Sequence, residues 1–392
     1  MSYTSIRLSR IPVPFFNELD ERVKIIEAQG GDVIRLDIGS PDFTPPDFII
    51  ETLRQSVSNP NNHGYGSHKG TGILREAWAN YYQKIYDVSI NPDAEVLPLI
   101  GTKEGIFHLP SAWINTGDIV LIPDPGYVTY SRGTLIADGE PYNLPLLEQN
   151  NYLPDLDDVP IEILNKAKIL WLNYPNNPTT AIAELDYFKE VICLAEKYNF
   201  IVCHDAAYSR VSFDKLATPS ILQIKNAKEV AVEFNSLSKS HNMAGWRIGA
   251  LLGNKNVVNA LYKLKTNADS GHFRPIHDAT VTALTSDQSW IDDRNKIYRQ
   301  RRDLVIDKLS ELGLGVNISP ASIYVWTRVP DGWTSYGFVK QILDDTHVSL
   351  TPGTFFGHYG EGYTRISLTV PISRLEEAMS RIGKYLREGK HL

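Results

Sequence analysis

The residues best suited to chemistry follow five short apolar runs of the sequence. These runs cover residues 96–100, 119–122, 169–172, 200–203 and 230–234. Each is too short for a buried helix and predicts a buried strand. The residues of interest that come after the runs are Gly101, Thr102, Lys103, Tyr127, Asn177, Asp205, Tyr208, Ser236, Ser238, Lys239 and Arg247. Because ligands bind outside the carboxyl ends of the strands in open parallel sheets, we expect these residues to converge on one site.

The hydroxyls and cations of this set suit a phosphate group. A phosphate binds well at a helix N-terminus that follows a glycine turn, since free backbone N–H groups and the helix dipole both favour an anion. The segment GTKEG provides such a turn at Gly101. We expect the phosphate site to be completed by Thr102, Lys103, Ser236, Ser238 and Arg247.

The remaining groups suit the ring of pyridoxal 5′-phosphate (PLP). Its pyridine nitrogen must stay protonated to act as an electron sink, and Asp205 is the carboxylate that could stand beside it. Tyr127 could stack on the ring, while Asn177 and Tyr208 could donate hydrogen bonds to the ring oxygen. Lys239 could form the Schiff base. Its amine pKa would have to fall, and we expect neighbouring Arg247 and the charges of the cofactor to lower it.

Hydrophobic periodicity predicts the elements that position these residues. From about residue 75 to 280, the apolar runs alternate with helical patterns such as that of residues 185–198. This βαβ alternation predicts an α/β fold with a mainly parallel sheet and helices on both faces. Beyond residue 285, a charged helix over 290–312, strands over 323–328 and 363–368 and a final helix over 373–387 predict a smaller α+β domain.

Composition excludes several other classes of function. The 392 residues carry a net charge of 39 − 46 = −7 and no basic block, so neither nucleic acid nor a membrane is an expected partner. Cys193 and Cys203 have neither disulfide nor metal-site spacing, and the ten histidines form no metal-binding motif. Without a signal-peptide pattern or a long apolar stretch, the expected location is the cytoplasm.

The segment SLSKSHNMAGWRIG resembles the lysine motif of the fold-type I PLP enzymes, and within them of the class I/II aminotransferases, with the arginine eight residues after the lysine. The likeness extends from LDIGSPDFTPP to GYTRISL. It implies that Gly39 contacts the substrate carboxylate through its backbone and that Arg365 forms the bidentate pair with it. It also implies that Tyr65 reaches the phosphate of the neighbouring subunit in an obligate homodimer with shared active sites.

The same resemblance implies a large domain over residues 45–284 and a small domain built from both chain ends, residues 1–44 plus 285–392. Two departures stand out. Thr180 replaces a common glycine and Ala206 a common acid. Since neither position supplies an atom that touches PLP in the family, we expect changes in loop geometry or tuning and no loss of activity.

The expected activity is amino transfer from an L-amino acid to a 2-oxo acid by a ping-pong mechanism, with Lys239, Asp205 and Tyr208 as the catalytic residues. A C–S β-lyase or related synthase on the same scaffold is the alternative, and a non-catalytic binding protein is a second one. For the substrate, Asn177 is a further contact and Ile38, Phe15 and Phe16 are candidates for the side-chain pocket. Arg274, in a segment resembling the active-site loop of aspartate, alanine or diaminopimelate aminotransferases, either faces a distal carboxylate or is a surface arginine.

Overall fold

A computed structural model describes residues 5–11 and 16–388 of the chain. The strands are β1 (Ile34–Arg35), β2 (Val96–Leu99), β3 (Ile119–Asp124), β4 (Glu140–Pro145), β5 (Ala167–Asn173), β6 (Ile201–Asp205), β7 (Ala231–Ser236), β8 (Gly249–Gly253), β9 (Tyr324–Arg328), β10 (Val348–Ser349), β11 (Thr351–Pro352) and β12 (Tyr363–Ser367). The α-helices are α1 (Ile6–Ser9), α2 (Phe16–Ala28), α3 (Asp47–Val57), α4 (Gly72–Tyr86), α5 (Thr102–Trp113), α6 (Thr129–Ile136), α7 (Ile161–Leu164), α8 (Leu185–Tyr198), α9 (Ala227–Val230), α10 (Leu237–Ser240), α11 (Lys255–Ala268), α12 (Arg274–Thr285), α13 (Trp290–Glu311), α14 (Ser335–Thr346) and α15 (Ile372–Arg387).

The central sheet has the strand order β2-β8-β7-β6-β5-β3-β4. Neighbouring strands from β7 to β4 pair in parallel, and only β8 runs against its neighbours. All five predicted runs are strands of this sheet, and the prediction of a mainly parallel sheet is confirmed. Strands β4 and β8 were not predicted, because β4 (EPYNLP) is not an apolar run and β8 (GALLG) has only three apolar residues between two glycines.

Both faces of the sheet are covered by helices, as predicted. Along β3, Leu121 packs into an apolar cluster with helices α4, α8 and α12, while the next residue, Ile122, packs on the opposite face with α5 and α11. Leu170 and Trp171 of β5 alternate in the same way. This alternation follows from the period of two in a strand, and it explains why strands covered on both faces carry continuous apolar runs.

A second apolar cluster surrounds an antiparallel sheet of order β11-β12-β9. Residues of α13, α14 and α15 pack into that cluster, so the predicted mixture of helices and strands after residue 285 is confirmed. The parallel pairing of β1 with β10 brings the segment before Gly39 to the same region. The division of the chain into residues 45–284 and the two chain ends stays a prediction.

Among the described residues, no helix is both long enough and apolar enough to cross a membrane.

Candidate active site

One cavity of about 820 Å³ lies where the predicted strand ends meet. Its wall contains residues that follow β2, β3, β5, β6 and β7, together with residues of the N-terminal segment and of the second sheet. The predicted residues that line it are Ile38, Gly39, Thr102, Lys103, Tyr127, Asn177, Asp205, Tyr208, Ser236, Ser238, Lys239, Arg247 and Arg365.

Three of the predicted residues that the structure describes do not line this cavity. Gly101 stands just behind its wall, against Arg247. Tyr65 is 96% exposed. Arg274 pairs with Asp278 on its own helix, with Nε and Oδ1 2.7 Å apart. Phe15 falls outside the described residues, as does the side chain of Phe16.

Gly101 allows Arg247 to approach the start of α5. Gly101 has a φ of 69°, and a Cβ there would lie 2.4 Å from Arg247 Nη2. The guanidinium therefore occupies the space that any side chain would need. Helix α5 begins at the next residue, Thr102, with its first N–H groups free of intrahelical partners. This combination of a cation and free N–H groups suits a phosphate.

Asp205 ends strand β6 and is almost completely buried. Its Oδ2 accepts a hydrogen bond from Tyr130 Oη at 2.9 Å, and its Oδ1 accepts one from the Ala207 N–H at 3.3 Å. Burial raises the pKa of Asp205 to about 6, although the bond from Tyr130 acts to lower it. The preceding His204 faces the other side of the sheet, where it contacts Glu233 and Phe188.

Lys239 lies in the short helix α10 with its amine in the cavity, donating to the carbonyl oxygen of Gly39. Burial is the main cause that lowers the pKa of Lys239, and the charges of Arg365 and Arg247 lower it further. The prediction that Arg247 would lower it is therefore correct but incomplete. Arg294 of α13 donates from Nη1 to the carbonyl oxygen of Lys239 at 2.9 Å, which fixes the backbone.

Arg365 of β12 is buried and has no carboxylate partner among the described residues. Its Nη1 donates to Asn177 Oδ1 and its Nη2 to the carbonyl oxygen of Asp37, both at 2.8 Å. Its Nε is buried with no hydrogen-bond partner. A buried guanidinium with an unused donor needs an anion, so the cavity suits a ligand that carries a carboxylate.

Sequence reasoning missed several residues of the site, and three of them contact predicted ones. Tyr130 holds Asp205, and Asn173 donates from Nδ2 to the Asp205 carbonyl oxygen at 2.7 Å. Tyr324 lies with its Oη 3.0 Å from Tyr208 Oη. Tyr130 could have been found, since it follows Tyr127 by three residues at the start of a helix and shares a face with it. Tyr324 carries no such signal.

The two departures from the family pattern have physical explanations. Thr180 has a φ of 65°, a left-handed conformation that suits glycine, and its hydroxyl donates to Ser319 Oγ at 3.1 Å. Ala206 is buried beside Asp205. An acid at position 206 would add a second charge to this dry environment, and alanine avoids that cost.

The residues present fit PLP. A buried carboxylate without a cationic partner suits a protonated ring nitrogen, Tyr208 and Asn177 stand ready as donors, and the α5 terminus with Arg247 suits the phosphate. No cluster of His, Cys, Asp or Glu in the described chain could hold a metal ion.

Comparison with known proteins agrees with this geometry. The family described as aminotransferase class I and II matches residues 31–382. The chain belongs to the class I and II aminotransferases. It is accordingly a PLP-dependent aminotransferase, and the lyase alternative is not favoured.

Among its relatives, the LL-diaminopimelate aminotransferase of Aquifex aeolicus is 46% identical, covering 96% of this chain and 98% of the relative. That of Natranaerobius thermophilus is 45% identical, covering 97% and 98%. The substrate-bound structure of BacF from Bacillus subtilis has a TM-score of 0.94 at 36% identity, covering 98% of both chains. An aspartate aminotransferase from Thermotoga maritima has a TM-score of 0.91 at 29% identity, covering 98% and 100%.

The raised pKa of Asp205 generates a prediction about the PLP-free protein. Ionisation of the buried carboxylate lowers the free energy of unfolding. The wild-type protein therefore becomes less stable as the pH rises from about 4 through 6. Asp205→Asn is neutral throughout. At pH 8 we expect the PLP-free variant to be about 2–3 kcal/mol more stable than PLP-free wild type, with the difference vanishing near pH 4.

Chemical denaturation of both proteins between pH 4 and 8 measures this difference. Asp157→Asn is the matched control, because Asp157 is exposed and should give no pH-dependent difference. A variant no more stable than wild type at pH 8 would contradict the burial argument.

Proposed function

We propose that Lys239 carries PLP as a Schiff base and that the residues of the cavity act on an L-amino acid in two half-reactions. The observation that carries this proposal is the meeting of a buried amine, a buried carboxylate and a buried guanidinium in one cavity, each without a charged side-chain partner in the described chain. PLP and an amino acid together bring a partner for each of them. Ping-pong kinetics follow, because the cofactor keeps the amino group between the half-reactions.

When bound, PLP supplies an electron sink for the pair left at the substrate Cα. The protein supplies the proton transfer: Lys239 Nζ, with its lowered pKa, is the base that would remove the Cα proton and deliver it to the C4′ carbon of the cofactor. Asp205 holds the proton of the ring nitrogen. Tyr208 stays protonated, because burial raises its pKa, and so remains a donor to the ring oxygen.

The phosphate site in this proposal comprises Gly101, Thr102, Lys103, Ser236, Ser238 and Arg247, with Tyr127 stacked on the ring. The substrate carboxylate pairs with Arg365, near the backbone of Gly39. Asn177 accepts from Arg365 through Oδ1, which leaves its amide nitrogen as the donor to the ring oxygen.

The proposed donor is LL-diaminopimelate or a close analogue with an amino-acid group at its distal end. Relatives of that name are 42–46% identical over nearly the whole chain. Asp20 and Arg35 also line the cavity beside Ile38, where they pair with each other, with Arg35 Nη2 and Asp20 Oδ1 2.7 Å apart. In this proposal a distal ammonium pairs with Asp20 and a distal carboxylate with Arg35, in exchange for that contact. That Arg274 contacts the distal carboxylate, and that Phe15 lines the pocket, stay predictions.

The enzyme is further proposed to act in the cytoplasm as a homodimer in which Tyr65 reaches the partner's phosphate site. Tyr65 is almost completely exposed in one chain, which leaves its side chain free for this role. Cys193 and Cys203 are both free thiols, which agrees with a reducing compartment.

Replacing Lys239 by alanine should abolish the visible absorption of the lysine-bound cofactor and reduce transamination at least ~10⁴-fold. Lys103→Ala is the matched control. Lys103 lines the same cavity but is exposed, so its variant should keep the absorption and bind PLP more weakly. If the absorption survived in the Lys239 variant and vanished in the Lys103 variant, the Schiff base would be on Lys103 and the proposal would be wrong.

Arg365→Lys keeps the charge but loses the planar fork. We expect kcat/KM for amino acids to fall roughly 10²- to 10³-fold. The slow reaction of a simple primary amine, which has no carboxylate, should be unchanged. An equal loss for both compounds would mean that Arg365 supports the cofactor or the fold, and not the substrate carboxylate.

A comparison of donors with 2-oxoglutarate as acceptor tests the substrate. LL-diaminopimelate should have the highest kcat/KM, while L-lysine and L-2-aminopimelate, which lack the distal carboxylate and the distal ammonium respectively, should be at least about tenfold slower. Faster turnover of L-aspartate or L-alanine would refute the proposed donor and leave the proposed chemistry intact.

A further inference from the structure

Tyr324 lies between Tyr208, which follows a strand of the central sheet, and Arg365, which belongs to the second sheet. It lies on β9 of the second sheet, is buried, and lines the cavity together with Tyr208 and Arg365. None of the roles assigned above uses it. We propose that Tyr324 is a positioning residue that couples the carboxylate fork of Arg365 to the phenol of Tyr208, an inference that rests on the proposed function of those two residues.

The contact with Arg365 is made through the aromatic ring. The guanidinium carbon of Arg365 lies 4.1 Å from the Tyr324 ring centroid, and Phe356 lies on the same guanidinium at 4.8 Å. A planar guanidinium held against aromatic faces keeps its fork in one orientation at low entropic cost. The ring of Tyr324 therefore fixes the plane in which a substrate carboxylate must lie.

The contact with Tyr208 is made through the hydroxyl. The two phenol oxygens are 3.0 Å apart, and either could be the donor. If Tyr208 gives its proton to the ring oxygen of the cofactor, its own oxygen is left to accept from Tyr324. Acceptance of a hydrogen bond makes a phenol a better donor, since hydrogen bonds in a chain polarise one another. The Tyr324 hydroxyl thereby strengthens the donation of Tyr208.

The N-terminal segment holds Tyr324 in this position. A Cβ at Gly39 would lie 1.9 Å from Tyr324 Oη, so only glycine leaves room for the phenol. The carbonyl oxygen of Gly39 also accepts from Lys239 Nζ. Tyr324 thus packs against the same residue that contacts the catalytic amine, which gives the glycine of LDIGSPD a second role beyond its backbone contact with substrate.

Two variants separate the ring from the hydroxyl. Tyr324→Phe keeps the ring, so the dissociation constant of 2-oxoglutarate for the PLP-loaded enzyme should change less than twofold. Tyr324→Leu loses the ring, and the same constant should rise roughly 3- to 30-fold. Tyr298→Phe is the matched control, because Tyr298 is a buried tyrosine that does not line the cavity. Thermal unfolding of each variant confirms that it is folded.

The pH midpoint of the visible absorption of the PLP-loaded enzyme tests the hydroxyl. Weaker donation to the ring oxygen makes the adjacent lysine nitrogen hold its proton more tightly, so Tyr324→Phe should raise the midpoint by roughly 0.3–0.7 pH units and Tyr208→Phe by more. In the Tyr208→Phe background, Tyr324→Phe should add nothing. If Tyr324→Phe has the same midpoint as Tyr298→Phe, the proposed coupling is wrong, while the proposed role of Tyr208 is unaffected.

An additional shift in the double variant likewise overturns the coupling, since Tyr324 would then act without Tyr208. If Tyr208→Phe itself leaves the midpoint unchanged, the proposed role of Tyr208 fails, and the coupling fails with it.

Discussion

Asp205, Lys239 and Arg365 are ionisable groups held out of water, and none of them has an oppositely charged side-chain partner among the described residues. Burial of an unpaired ion costs several kcal/mol, so the fold can hold all three only by neutralising or hydrogen-bonding them. Tyr130 bonds to Asp205, while Asn177 and backbone carbonyls satisfy part of Arg365. The three groups still lack charged partners. Asp205 suits a ring nitrogen, Lys239 an aldehyde and Arg365 a carboxylate, and these unmet interactions determine which ligands the cavity suits.

The sequence allowed prediction of the part of the site that comes from one parallel sheet. Because parallel strands end at the same edge, Asn177, Asp205 and Lys239 had to meet once their strands were identified. No such rule links Tyr208 to Tyr324, which is separated from it by 116 residues and belongs to a different sheet. Contacts between residues of two different sheets depend on side-chain packing, which hydrophobic periodicity does not describe.

The direction of β8 could not be predicted from the sequence for a related reason. Its apolar residues have the same period as those of the parallel strands, and only its pairing with β2 and β7 reveals that it runs the other way. The reversal matters for the site. Lys239 and Arg247 lie between β7 and β8, and the two strands pair antiparallel from Ser236 to Gly249, so both cations return to the same sheet edge.

The charges of the site are also linked to one another. Burial lowers the pKa of Lys239 most, Tyr324 acts to raise it, and the charge of Arg365 lowers it further in a free site. A carboxylate bound to Arg365 would cancel much of that effect and make the amine more basic when a substrate has arrived. Since Arg365 lies on β12 and Lys239 follows β7, this linkage operates between the two sheets.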